Sequence, residues 1–230
     1  MTDYDAHHIV FGSPPSAPGA ADLTWASRFV RRVMAKDSRR RMVMSAASLI
    51  GSRGVSSTSF TDVLKHSRAP RGSIYHHFPE GKLELVGDAM RWTTEQVLAY
   101  QRTCTADTAS GVLEHFVELF RQSVVSSHCR AGCPVAGVVV DTYSEDEDVL
   151  ELCRDSFRQW ISLLTSQLAA IGLPRPSARS LAITALASIE GALILSRAER
   201  GVAPLATVAD QLKQLATVTA SRAPRAAKRR

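Results

Sequence analysis

The chain has no cysteine pair at C-x-x-C spacing. Its four cysteines, Cys104, Cys129, Cys133 and Cys153, match no zinc framework. They are expected as reduced thiols in a core, with a redox sensor built on Cys129 and Cys133 as the alternative. The N-terminus has acids at Asp3 and Asp5 and no apolar h-region, so no secretory signal is expected. No eighteen-residue run is free of charge or strong polarity. The most apolar stretch, Leu181 to Leu195, holds Glu190, Thr184 and Ser188, and predicts a buried helix with no membrane partner. Strand signals are nearly absent. Val135 to Val140 is the single β-branched run, too isolated to build a sheet, and fits a buried helix or loop after Gly132-Cys133-Pro134. No nucleophile elbow or metal set is present, and the scattered histidines and acids form no recognisable dyad. Gly81-Lys82 would need a glycine five residues before Gly81 and Ser or Thr after Lys82 to make a phosphate loop. His76 and Leu83 stand there instead. Adjacent His76 and His77 point about 100° apart on a helix, so they make no metal site. An enzyme is not expected, and neither is a cofactor or metal.

Charge is unevenly distributed. The chain carries +6 overall, −2 over residues 1–30, +7 over 31–102, −4 over 103–221 and +5 over 222–230. A basic segment beside an acidic body points to a segregated polyanion-binding module. Residues 1–35, with Pro14, Pro15 and Pro18, read as a flexible N-terminal arm, and residues 222–230 as a basic tail. Between them the apolar spacing is helical. Met42, Ala46, Leu49 and Ile50 form one stripe, which Gly51 and Gly54 should end. Phe60, Val63 and Leu64 form a second, opened by the capping pattern Ser59-Phe60-Thr61-Asp62. Further stripes start after Pro79, before Gly132 and after the acidic box Ser144 to Glu147. The last two helices are expected over about 177–199 and 204–219. About nine helices and no sheet make an all-α protein.

The most informative stretch runs from Arg68 to Lys82. Pro70 suits the first turn of a helix. That turn exposes Arg71, Ser73 and the ring of Tyr75 or His76, while Ile74 and Phe78, four apart, face inward. Arginine reads guanine edges or phosphate, hydroxyls bond phosphate, and Gly72 lets a backbone come close. The amides opening the next helix, with Lys82, form a phosphate clamp. Two short helices joined by a tight turn are what a helix-turn-helix needs.

The block from Arg39 to Leu85 resembles the DNA-binding domain of TetR-type (tetracycline-repressor family) transcriptional regulators. The resemblance is carried by Ala46 to Ile50, Gly54, Thr58, the core Gly72-Ser73-Ile74-Tyr75-His76-His77-Phe78, and Lys82. Ala69-Pro70-Arg71-Gly72-Ser73, Phe78-Pro79-Glu80-Gly81-Lys82 and Gly132-Cys133-Pro134-Val135 are similar to its LmrA/YxaF-like branch. In one departure, Arg68 stands where the family's interhelical turn often has glycine.

The resemblance implies a three-helix DNA-binding domain over residues 36–82 and a ligand-binding and dimerisation domain over 83–221. It implies a cytoplasmic homodimer on a palindromic double-stranded DNA operator, a repressor released by a small apolar or planar effector. Thr58, Arg68, Arg71, Gly72, Ser73, Tyr75, His76 and Lys82 are the expected DNA contacts. Trp92, His115, Phe116, Tyr143, Phe157 and Trp160 are candidate pocket residues, aromatics at helical spacing that could equally be core. Leu186, Ile189 and Leu193, beside small residues, are candidates for the dimer seam or for packing within one chain. A non-specific nucleic-acid binder using the basic tail, and an all-α small-molecule-modifying enzyme, are the competing functions.

Overall fold

The computed structural model describes residues 23–141 and 147–222, with side chains from Ser38 onward. Tyr143, most of the acidic box at 144–147, the first 22 residues and residues 223–230 of the tail lie outside the described residues. Nine α-helices and one 3-10 turn make up the described fold, which contains no strand. They are α1 (Leu23–Arg53), α2 (Phe60–Ser67), a 3-10 turn (Arg71–Ser73) running into α3 (Ile74–His77), α4 (Lys82–Arg102), α5 (Ala109–Ser126), α6 (Pro134–Asp141), α7 (Glu147–Ala170), α8 (Arg175–Glu199) and α9 (Ala203–Arg222). The described residues divide into two compact units, one before and one after the junction of residues 36 and 37. No break in compactness falls at residue 82, because α4 supplies Leu85, Val86, Ala89 and Met90 to the core shared with α1 and α3.

Two boundaries differ from the sequence reading. Helix α1 starts at Leu23, inside the segment expected as an arm, because the helix-breaking run ends at Pro18-Gly19 and no further proline or glycine occurs until Gly51. The helix also runs past Gly51 to Arg53, and Gly54 at φ 84° ends it alone. Gly51 is there for close approach instead: a Cβ on it would lie 2.9 Å from the Gly132 carbonyl oxygen and 3.1 Å from Pro134 Cγ. The capping box of α2 forms as its spacing predicts. Ser59 Oγ accepts from the Asp62 N–H (3.2 Å), and Asp62 accepts from the Ser59 N–H (3.1 Å).

The larger half is a bundle in which α7 packs on α4 and α8, and α9 on α5 and α8. Polar contacts key α4 to α7. Trp160 Nε1 donates to the Thr94 carbonyl (3.3 Å), Thr94 and Ser156 hydroxyls meet at 2.6 Å, and Gln101 Nε2 donates to Gln167 Oε1 (2.8 Å). Helix α8 is long and apolar enough to cross a membrane by composition alone. It is a core helix here, with Leu181, Ala182, Ala185, Leu186, Ile189, Ala192 and Leu193 buried inside the chain. That corrects the expected dimer seam. Leu186, Ile189 and Leu193 face inward, and the exposed apolar groups of α8 are Ile183, Ile194 and Leu195.

Glu190 on α8 is largely buried, with Oε1 lacking a hydrogen-bond partner, and burial pushes its pKa from 4.5 up to about 7; a hydrogen bond from Cys133 opposes this. The folded chain therefore holds this proton more tightly than the unfolded chain, so stability falls as pH rises from about 4.5 through 7. Glu190→Gln should remove that loss, raising stability at pH 8 by on the order of 3 kcal/mol at most and leaving it unchanged at pH 4. Urea titrations of both proteins at the two pH values check this.

Candidate nucleic-acid interface and ligand cavity

The turn joining α2 to the 3-10 segment is closed by Arg68 in the left-handed conformation (φ 55°, ψ 32°), its N–H bonded to the Leu64 carbonyl. Arginine therefore fills the position that favours glycine, at about 1–2 kcal/mol of strain, and its side chain is exposed. Pro70 precedes the first turn in an extended conformation (φ −61°, ψ 138°), as the helix N-cap. Ile74 and Phe78 are fully buried, which turns the opposite face of 71–77 outward. Arg71, Gly72, Tyr75 (70% exposed) and His76 lie on that face, and Lys65 and His66 of α2 are exposed as well. Tyr75 is held edge-on to Phe60, with centroids 5.6 Å apart. Ser73 is half-buried and its hydroxyl donates to the Pro70 carbonyl (2.6 Å). A Cβ on Gly72 would meet nothing within 4 Å, so the protein itself gives no reason for glycine there.

Thr58 departs from the expectation. It is 4% exposed and its hydroxyl donates to the Gly54 carbonyl (2.7 Å), so it ties down the α1–α2 connection and offers no free side-chain group to a phosphate. Lys82 is half-buried at the start of α4, preceded by Gly81 at φ 89°. Glu84 in the same turn accepts from the Glu80 N–H (3.1 Å) and from Arg39 (3.1 Å). Of the run Arg39-Arg40-Arg41, Arg39 is structural: it pairs with Glu84 and Asp88, bonds the His77 carbonyl, and lies 4.8 Å from the Phe78 ring centre. Burial, His76 and Arg39 together push the His77 pKa down.

A cavity of about 410 Å³ opens between α1, α4, α5, α7 and the segment leading into α6. Trp92 and Trp160 line it, with Met44, Leu119, Phe120, Gln96, Ser48, Ser123 and Cys133. No lining residue is charged. Of the other expected pocket residues, the described ones, His115, Phe116 and Phe157, do not line it. His115 stacks on Tyr100 (4.5 Å) and meets its carbonyl through Nε2, Phe116 packs on Phe120 inside the core, and Phe157 packs edge-on against Trp160. Helical spacing identifies buried faces, but it does not say which of them enclose space. Met44 and Ser48, one turn apart on α1, carried no signal for a cavity.

Two segments of known families match. Residues 43–89 match the family described as bacterial regulatory proteins, tetR family, and residues 109–211 the C-terminal domain described as transcriptional regulator LmrA/YxaF-like. An uncharacterized HTH-type transcriptional regulator of Mycobacterium tuberculosis is 38% identical over 182 residues, covering 77% of this chain and 93% of the relative. The HTH-type transcriptional regulator LmrA of Bacillus subtilis is 27% identical over 183 residues, covering 78% and 96%. In fold, a TetR transcriptional regulator from Legionella pneumophila superposes with a TM-score of 0.69 at 23% identity, covering 76% of this chain and 94% of that one.

Proposed function

The chain belongs to the TetR family of bacterial transcriptional regulators, in its LmrA/YxaF-like branch, and is a DNA-binding regulator rather than an enzyme; from that premise we propose that it is a cytoplasmic repressor. In this reading it binds a palindromic operator as a homodimer and leaves it when an uncharged, largely apolar molecule fills the cavity. The observation that carries the reading is the division of labour around α4, whose first turn holds Lys82 at the basic face while Trp92 and Gln96 line the cavity. Residues 36–82 act as the DNA-binding head and 83–221 as the effector and dimer body. Arg71 reads bases, Gly72 lets the DNA backbone approach, Lys82 touches phosphate, and Arg68, Ser73, Tyr75 and His76 touch phosphate or bases. Two half-sites are needed because one short helix reads few base pairs. The exposed stripe of Ile183, Ile194 and Leu195 on α8, with Leu215 and Val218 on α9, is the surface offered to the second subunit.

The uncharged lining sets the ligand class, since a charged molecule would lose its hydration there without gaining a counter-ion. The volume lies within the range of drug-sized sites. Release follows only if the ligand favours the dimer geometry that does not bind DNA. The test is operator affinity with and without uncharged ligands found by thermal shift, expected to fall roughly 5- to 150-fold. Tight cavity binders that never change operator affinity would refute the effector role.

Lys82→Ala should weaken binding alike for operator and random DNA and reduce the salt slope by about one unit per subunit, because it touches phosphate only. Titrations across salt concentrations check it, and a change in base preference would contradict the assignment.

A further inference from the structure

The connection between α1 and α2 is gripped from two sides by groups of opposite charge. Arg197 of α8 donates to the Ser52 carbonyl (2.7 Å) and the Gly51 carbonyl (3.5 Å). These are last-turn carbonyls of α1 at the negative end of its dipole, where a guanidinium is favoured. Asp141, the last residue of α6, accepts from the Ser56 N–H at 2.6 Å, and that bond chiefly holds its carboxyl below the usual range. A third bond joins the Gly132 N–H to the Gly51 carbonyl (2.7 Å). Glycines make room for both jaws. A Cβ on Gly54 would stand 2.8 Å from Asp141 Oδ2, and one on Gly132 would stand 3.3 Å from the Gly51 carbonyl and 3.4 Å from Arg197.

The placement of Arg197 gives this grip a function. It follows Ile194 and Leu195, which are 68% and 53% exposed, within one helical turn. The same turn of α8 therefore carries the apolar surface offered to the second subunit and the cation that holds the head. We propose that Arg197 and Asp141 are positioning residues that fix the pose of the DNA-binding head on the body, and thereby set which half-site spacing the dimer accepts. Neither touches DNA in this account. The inference rests on the dimeric-operator reading of the preceding subsection. Two charged contacts and one backbone bond, added to the core that α4 shares with α1 and α3, favour one pose of the head, and each base pair added between half-sites both lengthens and rotates the required geometry.

The test uses full-length wild type, Arg197→Gln, Arg197→Lys and Asp141→Asn, on the footprinted operator, on duplexes with one or two base pairs added or removed at its centre, and on an isolated half-site. Wild type should lose about tenfold or more in affinity on the altered spacings, within the usual range of coupling between sites. Arg197→Gln and Asp141→Asn should reduce that penalty to about threefold or less. Half-site affinity, dimer mass and thermal midpoint should stay close to wild type. Arg197→Lys should restore part of the penalty, because an ammonium can still reach one carbonyl. Variants that keep the wild-type spacing penalty would overturn the proposal, as would variants that lose half-site and full-site affinity in equal measure. A wild-type protein that binds no two-fold site at all would refute the operator reading instead.

Discussion

Phe78→Ala should destabilise the chain by about 3–5 kcal/mol and remove operator binding together with it. Phe78 is fully buried at the end of the recognition segment, where with Ile74 it anchors 71–77 to α1 and α4. The truncation leaves a void where a fully buried ring stood. It also removes the ring beneath Arg39, whose other partners are Glu84, Asp88 and the His77 carbonyl. Losing one face of that arginine loosens the two acids and the one carbonyl it gathers, so the effect spreads to the start of α4. The check is a denaturant titration followed by circular dichroism, paired with hydrogen exchange. Exchange should rise first in residues 60–89, ahead of the α7–α8 pair, because only the head loses its anchor. A loss of binding with unchanged stability would mean that Phe78 is not the anchor described.

Arg71→Ala should have the opposite signature, a large loss of operator affinity with an unchanged fold. Arg71 is exposed and forms no ion pair among the described residues. A bidentate contact to a guanine is worth about 1–3 kcal/mol of discrimination, and a dimer loses two of them. The expected fall is therefore about 2–6 kcal/mol on the operator, with a much smaller fall on random DNA. Selection of preferred sites from a random pool should then show relaxed preference at one symmetric pair of positions. An equal loss on both DNAs would make Arg71 a phosphate contact.

Much of this was legible in the sequence because local chemistry decided it. Ser59 and Asp62 cap α2 as their spacing requires, and Ile74 and Phe78 turn inward because they lie one turn apart. The head's outward face follows from those two residues alone. What was not legible depended on contacts between distant segments. Thr58 reads as a surface threonine before a helix, yet the Gly54 carbonyl four residues back captures its hydroxyl. Leu186, Ile189 and Leu193 share α8 with Ile194 and Leu195, and apolar character cannot tell the intrachain face from the exposed one. His115 and Phe116 carry the pattern of a pocket helix, but Tyr100 and Phe120 fill the space beside them. The Arg197 and Asp141 contacts join residues 145 and 85 positions apart, a distance over which no spacing rule operates.

The central claim is that a pair of these chains reads a two-fold DNA site through residues 71–77. Its most direct test is a footprint of the purified protein on the DNA upstream of its own gene, with the mass of the complex measured in parallel. The account predicts protection of two inverted half-sites whose centres lie about one helical turn or a multiple apart, an even number of chains per site, and loss of protection in Arg71→Ala. Tight protection by a single chain on one half-site, or uniform coating of any DNA supplied, would contradict it.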